Sequence, residues 1–208
     1  MNIDVYTDVS CPWCYIATHR LQRAIEGLEN AADVHVAYRP YQLNPAMSTK
    51  PMPLMDYYVA RGGTAFAEEH RHAARVALAD GLPVDLDRAQ AVNTFDAHRV
   101  LWIAREEYGA EVQQRVHDGL TRAFFADGAN IGDIEVLTGI AARSGMDASR
   151  TREELTGDAA VSEVREAIDA ARGLGISAVP SFVIDGTYLV KGAQQEQVLR
   201  DILTSRLG

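Results

Sequence analysis

Lysine is almost missing from this chain of 208 residues: Lys50 and Lys191 are lysines, and every other basic side chain is arginine. Acidic residues outnumber basic ones by 29 to 20, a formal net charge of −9. Nucleic-acid binding needs clustered Lys and Arg to displace counterions, so a nucleic-acid partner is not expected. Long apolar runs are absent too. No stretch approaches the roughly 20 residues that span a bilayer, and no membrane partner is expected.

Cysteine is equally scarce, with only Cys11 and Cys14 present. A disulfide between residues so close would staple little of a fold, and a chain of this length can bury a sizeable core without one. A zinc site needs about four ligands. There is no second cysteine pair, and the close histidines His70 and His72 sit two apart on a helical pattern, pointing in different directions. No metal is expected. The chain runs from Met1 directly into a strand-like segment, without a basic n-region, apolar h-region or cleavage site. On that basis we expect a cytosolic protein whose thiols rest largely reduced.

Chemistry is concentrated near the front. Ile3, Val5 and Tyr6 mark a strand that ends at Asp8-Val9-Ser10, and Ala17, Leu21, Ala24, Ile25 and Leu28 recur at helical spacing afterwards. Cys11 therefore falls at a helix N-terminus, where unpaired N–H groups and the helix dipole favour a thiolate. Cys14 lies one turn on, close enough to close a small disulfide. An attacking thiolate beside a thiol that can resolve its mixed disulfides is the unit of thiol–disulfide exchange. Pro12 suits an early helical position because its missing N–H needs no partner there. Trp13 offers an apolar surface for gripping a substrate.

A second strand runs from Asp33 to Arg39, with Val34, Val36 and Tyr38 alternating to one face. A parallel return makes the front a βαβ unit. Tyr41 to Pro53 reads as a loop. Helical patterns dominate from about Leu54 to Gly173: one from Ala65 to Ala79, one from Thr94 to Tyr108, and a third ending at Asp127-Gly128. Asp133 is expected to cap a helix from Ile134 to Ser144, and Asp158 to cap the helix bearing Val161, Val164 and Ile168. Strand character returns at Ser181–Ile184, followed by an Asp185-Gly186 turn, Tyr188–Val190 and a last helix. The expectation is an α/β fold in two parts. Residues 1–50 and 175–208 form a discontinuous sheet domain, and 51–174 form an inserted helical domain.

Five motifs in order, Ser10-Cys11-Pro12-Trp13-Cys14-Tyr15-Ile16, Tyr38–Pro45, Asn93–Arg99, Val179–Ile184 and Gly192-Ala193-Gln194, carry a resemblance that covers nearly the whole chain. The chain resembles the thioredoxin-fold DsbA superfamily, and within it the FrnE-like branch of disulfide oxidoreductases. The resemblance implies a thioredoxin-like fold with a large all-helical insertion, Cys11 as nucleophile and Cys14 as resolving thiol. It implies that Val179-Pro180 holds a cis proline against the CxxC, with the Val179 backbone free to pair with an extended substrate. His98 shares a helical face with Phe95 and Trp102. Either it tunes Cys11 from the helical domain or it is a buried, hydrogen-bonded core histidine. Asn44 and Gln194 are candidates for the same cleft. His19, His35 and His117 are expected to be solvated.

The implied partner is a disulfide-containing protein or a small-molecule thiol, with no cofactor beyond glutathione as a candidate co-substrate. The same fold is also similar to 2-hydroxychromene-2-carboxylate isomerases and kappa-class glutathione transferases. Those carry Ser where Cys11 stands and activate a bound glutathione thiol, so a glutathione-dependent isomerase or transferase is the alternative. A non-catalytic cleft that binds peptides or polyketide-like molecules is a third reading.

Overall fold

In the computed structural model, which describes residues 1–207, the front of the chain forms β1 (Asn2–Thr7), α1 (Pro12–Glu26) and β2 (His35–Pro40). The two strands pair in parallel, with Val5 opposite Tyr38. The back supplies β5 (Ser181–Ile184) and β6 (Tyr188–Lys191), which join β1 antiparallel to make one sheet in the order β2-β1-β5-β6. Asp185 and Gly186 turn the β5–β6 hairpin with φ of 47° and 70°, the left-handed pair that matches strand twist. Helix α8 (Glu196–Leu207) lies against α1.

Between the two sheet halves come β3 (Met52–Pro53), α2 (Leu54–Ala79), β4 (Gln90–Ala91), α3 (Phe95–Ile103), α4 (Ala110–Arg122), α5 (Ile134–Arg143), α6 (Ala148–Thr156) and α7 (Val161–Gly173). Helices α3 and α4 each run on into a wider π turn, Ala104–Tyr108 and Ala123–Asp127, that stops at a glycine. Both glycines, Gly109 and Gly128, have positive φ, where a side chain would be strained.

Helix α1 is sandwiched. Ala17, Leu21 and Ala24 join Val5, Phe182, Leu199 and Leu203 in one core under the sheet, while Tyr15 and Ile16 enter a second core built from the helices. Burial on both faces fixes the orientation of α1, and with it the turn that carries Cys11.

Several expectations need correction. Helix α2 is two helical pieces that meet at Gly62 and Gly63, whose φ/ψ are not helical. The second piece is the helix expected from Ala65 to Ala79, and the first, beginning at Leu54, was not expected as a separate helix. Helix α6 was not expected, nor was the β3–β4 pair, of which β3 falls at the end of the expected loop and β4 in the stretch expected to be helical. Asp133 does cap α5, its carboxylate accepting the Glu135 and Val136 amides. Asp158 does not cap α7 with its side chain: Ala160 takes a left-handed conformation there, and only the Asp158 carbonyl serves Val161. His117 is fully buried, stacked 4.1 Å from the Tyr38 ring. Helix α4 packs against helices on one side and against the edge of β2 on the other, so its buried stripe is wider than one apolar row. His19 is half-buried.

Candidate active site

The turn from β1 into α1 sets the site. The Cys11 amide donates to the Asp8 carbonyl at 3.0 Å, and the Cys11 carbonyl accepts the first helical amides. Cys11 is itself the N-cap: its Sγ accepts the Cys14 amide at 3.3 Å, where a Ser or Asp oxygen would usually sit. Pro12 occupies the first helical position, where a missing N–H costs nothing. Both cysteines are free thiols; Cys11 is 4% exposed and Cys14 is fully buried. Burial pushes the Cys14 thiol well up, and the neighbouring Cys11 sulfur adds to it. Cys14 is thus held as a thiol behind Cys11.

Cys11 opens onto a cavity of about 290 Å³. Pro12, Trp13, Asn44 and Val179 line it, as do Asp8, Met47, Tyr57, Tyr58, Arg61, Phe66 and His70. The Val179–Pro180 peptide is cis, and the Val179 carbonyl lies 3.9 Å from Cys11 Sγ. Trp13 leans on His72 from α2, with ring centres 6.1 Å apart. Asn44 Nδ2 donates to the Tyr57 hydroxyl at 3.2 Å, and Arg61 donates to the same oxygen.

Helix α2 supplies wall from both sides of its kink. Tyr57, Tyr58 and Arg61 precede Gly62-Gly63, and Phe66 and His70 follow. The His70 ring packs tilted against Tyr58, ring centres 3.9 Å apart, and donates from Nδ1 to the Phe66 carbonyl at 2.8 Å. Burial lowers the His70 pKa despite that bond, which favours a neutral ring.

Four of the nominated residues lie outside the wall. Cys14 is behind Cys11, and Pro180 is buried, its carbonyl accepting the Gly192 amide. His98 is 1% exposed and faces Asp8, with Nε2 at 3.6 Å from Oδ1, so it reaches the site only through that carboxylate. The buried alternative was half right, because neither ring nitrogen has a hydrogen-bond partner.

Gln194 is a correction. Its side chain folds back to donate to the Lys191 carbonyl at 2.7 Å, and its own carbonyl is held by Arg20. Arg20 is anchored in turn by Asp80 at 2.6 Å, so this loop is tied to α1 and α2 and not aimed at the cavity.

Asp8 is the main residue the sequence reading passed over. Its carboxylate accepts the Leu43 amide at 2.8 Å and the Ser10 amide at 3.3 Å. Burial works to raise the carboxyl, but His98 and those two amides outweigh it and leave its pKa lowered. A lone acidic residue between a strand and a CxxC was the available signal. The α2 residues were hidden because Gly62-Gly63 reads as a boundary.

A parallel β1-α1-β2 unit, an antiparallel β5-β6 hairpin beginning at a cis proline, and a dithiol at the N-terminus of α1 together define a thioredoxin-type fold. The chain belongs to the DSBA-like thioredoxin domain family, whose profile matches residues 2–204. It is 30% identical to a probable DsbA oxidoreductase from Streptomyces coelicolor, over all of this chain and 90% of that one, with a TM-score of 0.90. The uncharacterized protein YwbO of Bacillus subtilis is 27% identical over 210 residues, 98% of this chain and 96% of its own. The cytosolic disulfide reductase DsbM from Pseudomonas aeruginosa, solved with GSH, shares the fold at 18% identity and a TM-score of 0.70, over 100% of this chain and 99% of that one. No helix among the described residues is long and apolar enough to cross a membrane.

Proposed function

We propose that this protein is a thiol–disulfide oxidoreductase of the FrnE-like kind, working in the cytosol through the Cys11–Cys14 dithiol. The Cys11 thiolate attacks one sulfur of a substrate disulfide, forming a mixed disulfide and releasing the other sulfur as a thiolate. Cys14 then gives up its proton and attacks Cys11 Sγ. This forms the intramolecular disulfide and releases the second substrate thiol. Two electrons pass to the substrate, and the reverse sequence oxidises a dithiol.

The observation that carries this reading is the division between the two sulfurs. Cys11 caps the helix and faces the cavity, while Cys14 is closed off behind it and held protonated. Pro12, Trp13, Asn44 and the Val179 backbone serve as the substrate contacts. His98 acts at one remove by holding Asp8. Glutathione fits as the small-molecule thiol, a role consistent with the fold shared with DsbM.

The concavity of the site favours one second reading. A cavity of about 290 Å³ beside Cys11, with Arg61 and Asn44 in its wall, suits a small molecule, as a glutathione-dependent isomerase or transferase would require. Titration of the dithiol in glutathione redox buffers, read by thiol alkylation and mass spectrometry, separates the two. Exchange predicts a reversible Cys11–Cys14 disulfide with a potential of about −120 to −270 mV. Accumulation of only a Cys11–glutathione adduct, or no oxidation at all, would overturn it. Cys11→Ser is a second discriminator: on the exchange reading it abolishes activity, and on the isomerase or transferase reading it leaves activity intact.

A further inference from the structure

Among the described residues, Tyr58 is the one member of the cavity wall whose side-chain polar atom is closed off from solvent and has no hydrogen-bond partner. A buried hydroxyl without a partner costs stability, so its retention calls for an explanation. The ring is firmly placed. It packs tilted against His70, ring centres 3.9 Å apart, and meets Phe66 edge-on at 5.8 Å, with His70 itself pinned to the Phe66 carbonyl. Only the hydroxyl is left without an assignment.

The cavity supplies one, since Tyr58 and Cys11 line the same wall. Burial, with the charge of Cys11 next, then Tyr57 and Asp8, pushes the phenol far up. Tyr58 therefore stays protonated and can only act as a donor or a neutral acceptor.

The Cys11 sulfur in turn changes its needs on ionisation. As a thiol it lies 3.9 Å from the Val179 carbonyl, with its S–H as donor, and accepts the Cys14 amide. As a thiolate it has no proton to offer that carbonyl, so the contact turns repulsive, and it gains room for a second donor.

We propose that the Tyr58 hydroxyl is that second donor, so that the reduced protein holds the Cys11 thiolate between the Cys14 amide and the Tyr58 phenol. The assignment rests on the exchange reading of the dithiol. It adds to that reading a donor from the helical region that acts on the reacting sulfur. The bond exists only in the reduced form, because a disulfide sulfur is a much poorer acceptor. Tyr58 therefore stabilises the reduced dithiol and makes the disulfide a better oxidant.

The test is the equilibrium with glutathione. In it the Cys11 thiolate and Cys14 thiol pass two electrons to glutathione disulfide, giving the protein disulfide, one glutathione thiol and one glutathione thiolate. For Tyr58→Phe, the ratio of reduced to oxidised protein in a given buffer should fall about tenfold, equivalent to a potential about 30 mV lower. Loss of packing alone does not move this ratio in a fixed direction. An unchanged ratio, or a rise, would overturn the assignment. If Tyr58→Phe does not fold, Tyr58→Leu also lacks the donor and is read the same way. Failure of wild-type protein to form the disulfide at all would instead overturn the exchange reading beneath it.

Discussion

His98 Nε2 faces Asp8 Oδ1 across 3.6 Å, and neither side chain reaches solvent. Asp8 also holds the amides of Ser10 and Leu43, while its backbone carbonyl receives the amide of Cys11. One buried carboxylate thus ties α3, the loop after β2 and the turn that presents Cys11. It reaches the cavity wall as well.

Asp8→Asn should therefore cost stability at neutral pH, by about 1–3 kcal/mol, the range for a buried polar group left without its hydrogen-bond partners. The pH dependence follows from the lowered Asp8 pKa. A carboxyl depressed in the folded state contributes stability above its unfolded value, near 3.9. That contribution is lost as pH falls through the folded value. Urea unfolding of wild type should weaken from about pH 5 downward, and part of that slope should be missing in Asp8→Asn. Parallel pH profiles for the two proteins would show that Asp8 contributes nothing through its charge.

Cys14→Ser should trap the exchange half-way. With no thiol to resolve it, the Cys11 mixed disulfide with glutathione should accumulate in oxidised buffer, while wild type passes on to the intramolecular disulfide. Intact-mass spectrometry after acid quenching reads both species. Equal adduct levels in the two proteins would remove Cys14 from the mechanism.

Arg99 is 4% exposed and donates to the carbonyls of Glu154, Leu155, Gly157 and Ala159, as well as to the Asp96 carboxylate. Those carbonyls are at or just beyond the C-terminal end of α6, where helices leave acceptors unpaired. Arg99→Ala should destabilise the protein by about 3–5 kcal/mol, since a buried network loses its only shared donor. Arg99→Lys should recover less than half, because an ammonium has three donors and no planar fork. Chemical denaturation measures both, and full rescue by lysine would mean that the charge alone matters.

Gly63 adopts φ +73° and ψ −170° inside α2, with open space where a Cβ would stand. The cost of Gly63→Ala is thus backbone strain alone, about 1–3 kcal/mol. The variant should unfold at lower urea concentration, and substrate affinity should fall because the kink aligns both halves of α2 along the cavity. A variant as stable as wild type would show that the helix accommodates a side chain there.

Much of this protein follows from local pattern. The strand, helix and strand at the front of the chain, the hairpin at Asp185-Gly186, the cap at Asp133 and the placement of Cys11 at a helix start all show in patterns spanning a few residues. The pairing of β1 with β2, by contrast, joins residues far apart in the chain. Apolar periodicity and turn chemistry report such local patterns directly. The five motifs likewise carried the family. Tertiary structure alone decided the rest. Asp8, Tyr58 and His98 lie far apart in the chain, and nothing local shows that folding closes them around one dithiol. Gly62-Gly63 does break the helical geometry, but nothing local shows that the helical pieces on both sides of it line one cavity. His117 looks like a surface residue beside an apolar stripe until β2 covers it. Gln194 looks like a cleft residue until Arg20, anchored on Asp80, draws its loop away. Local sequence sets which elements form, because their energies are local. Which side chains meet depends on how those elements pack, and that depends on the whole chain.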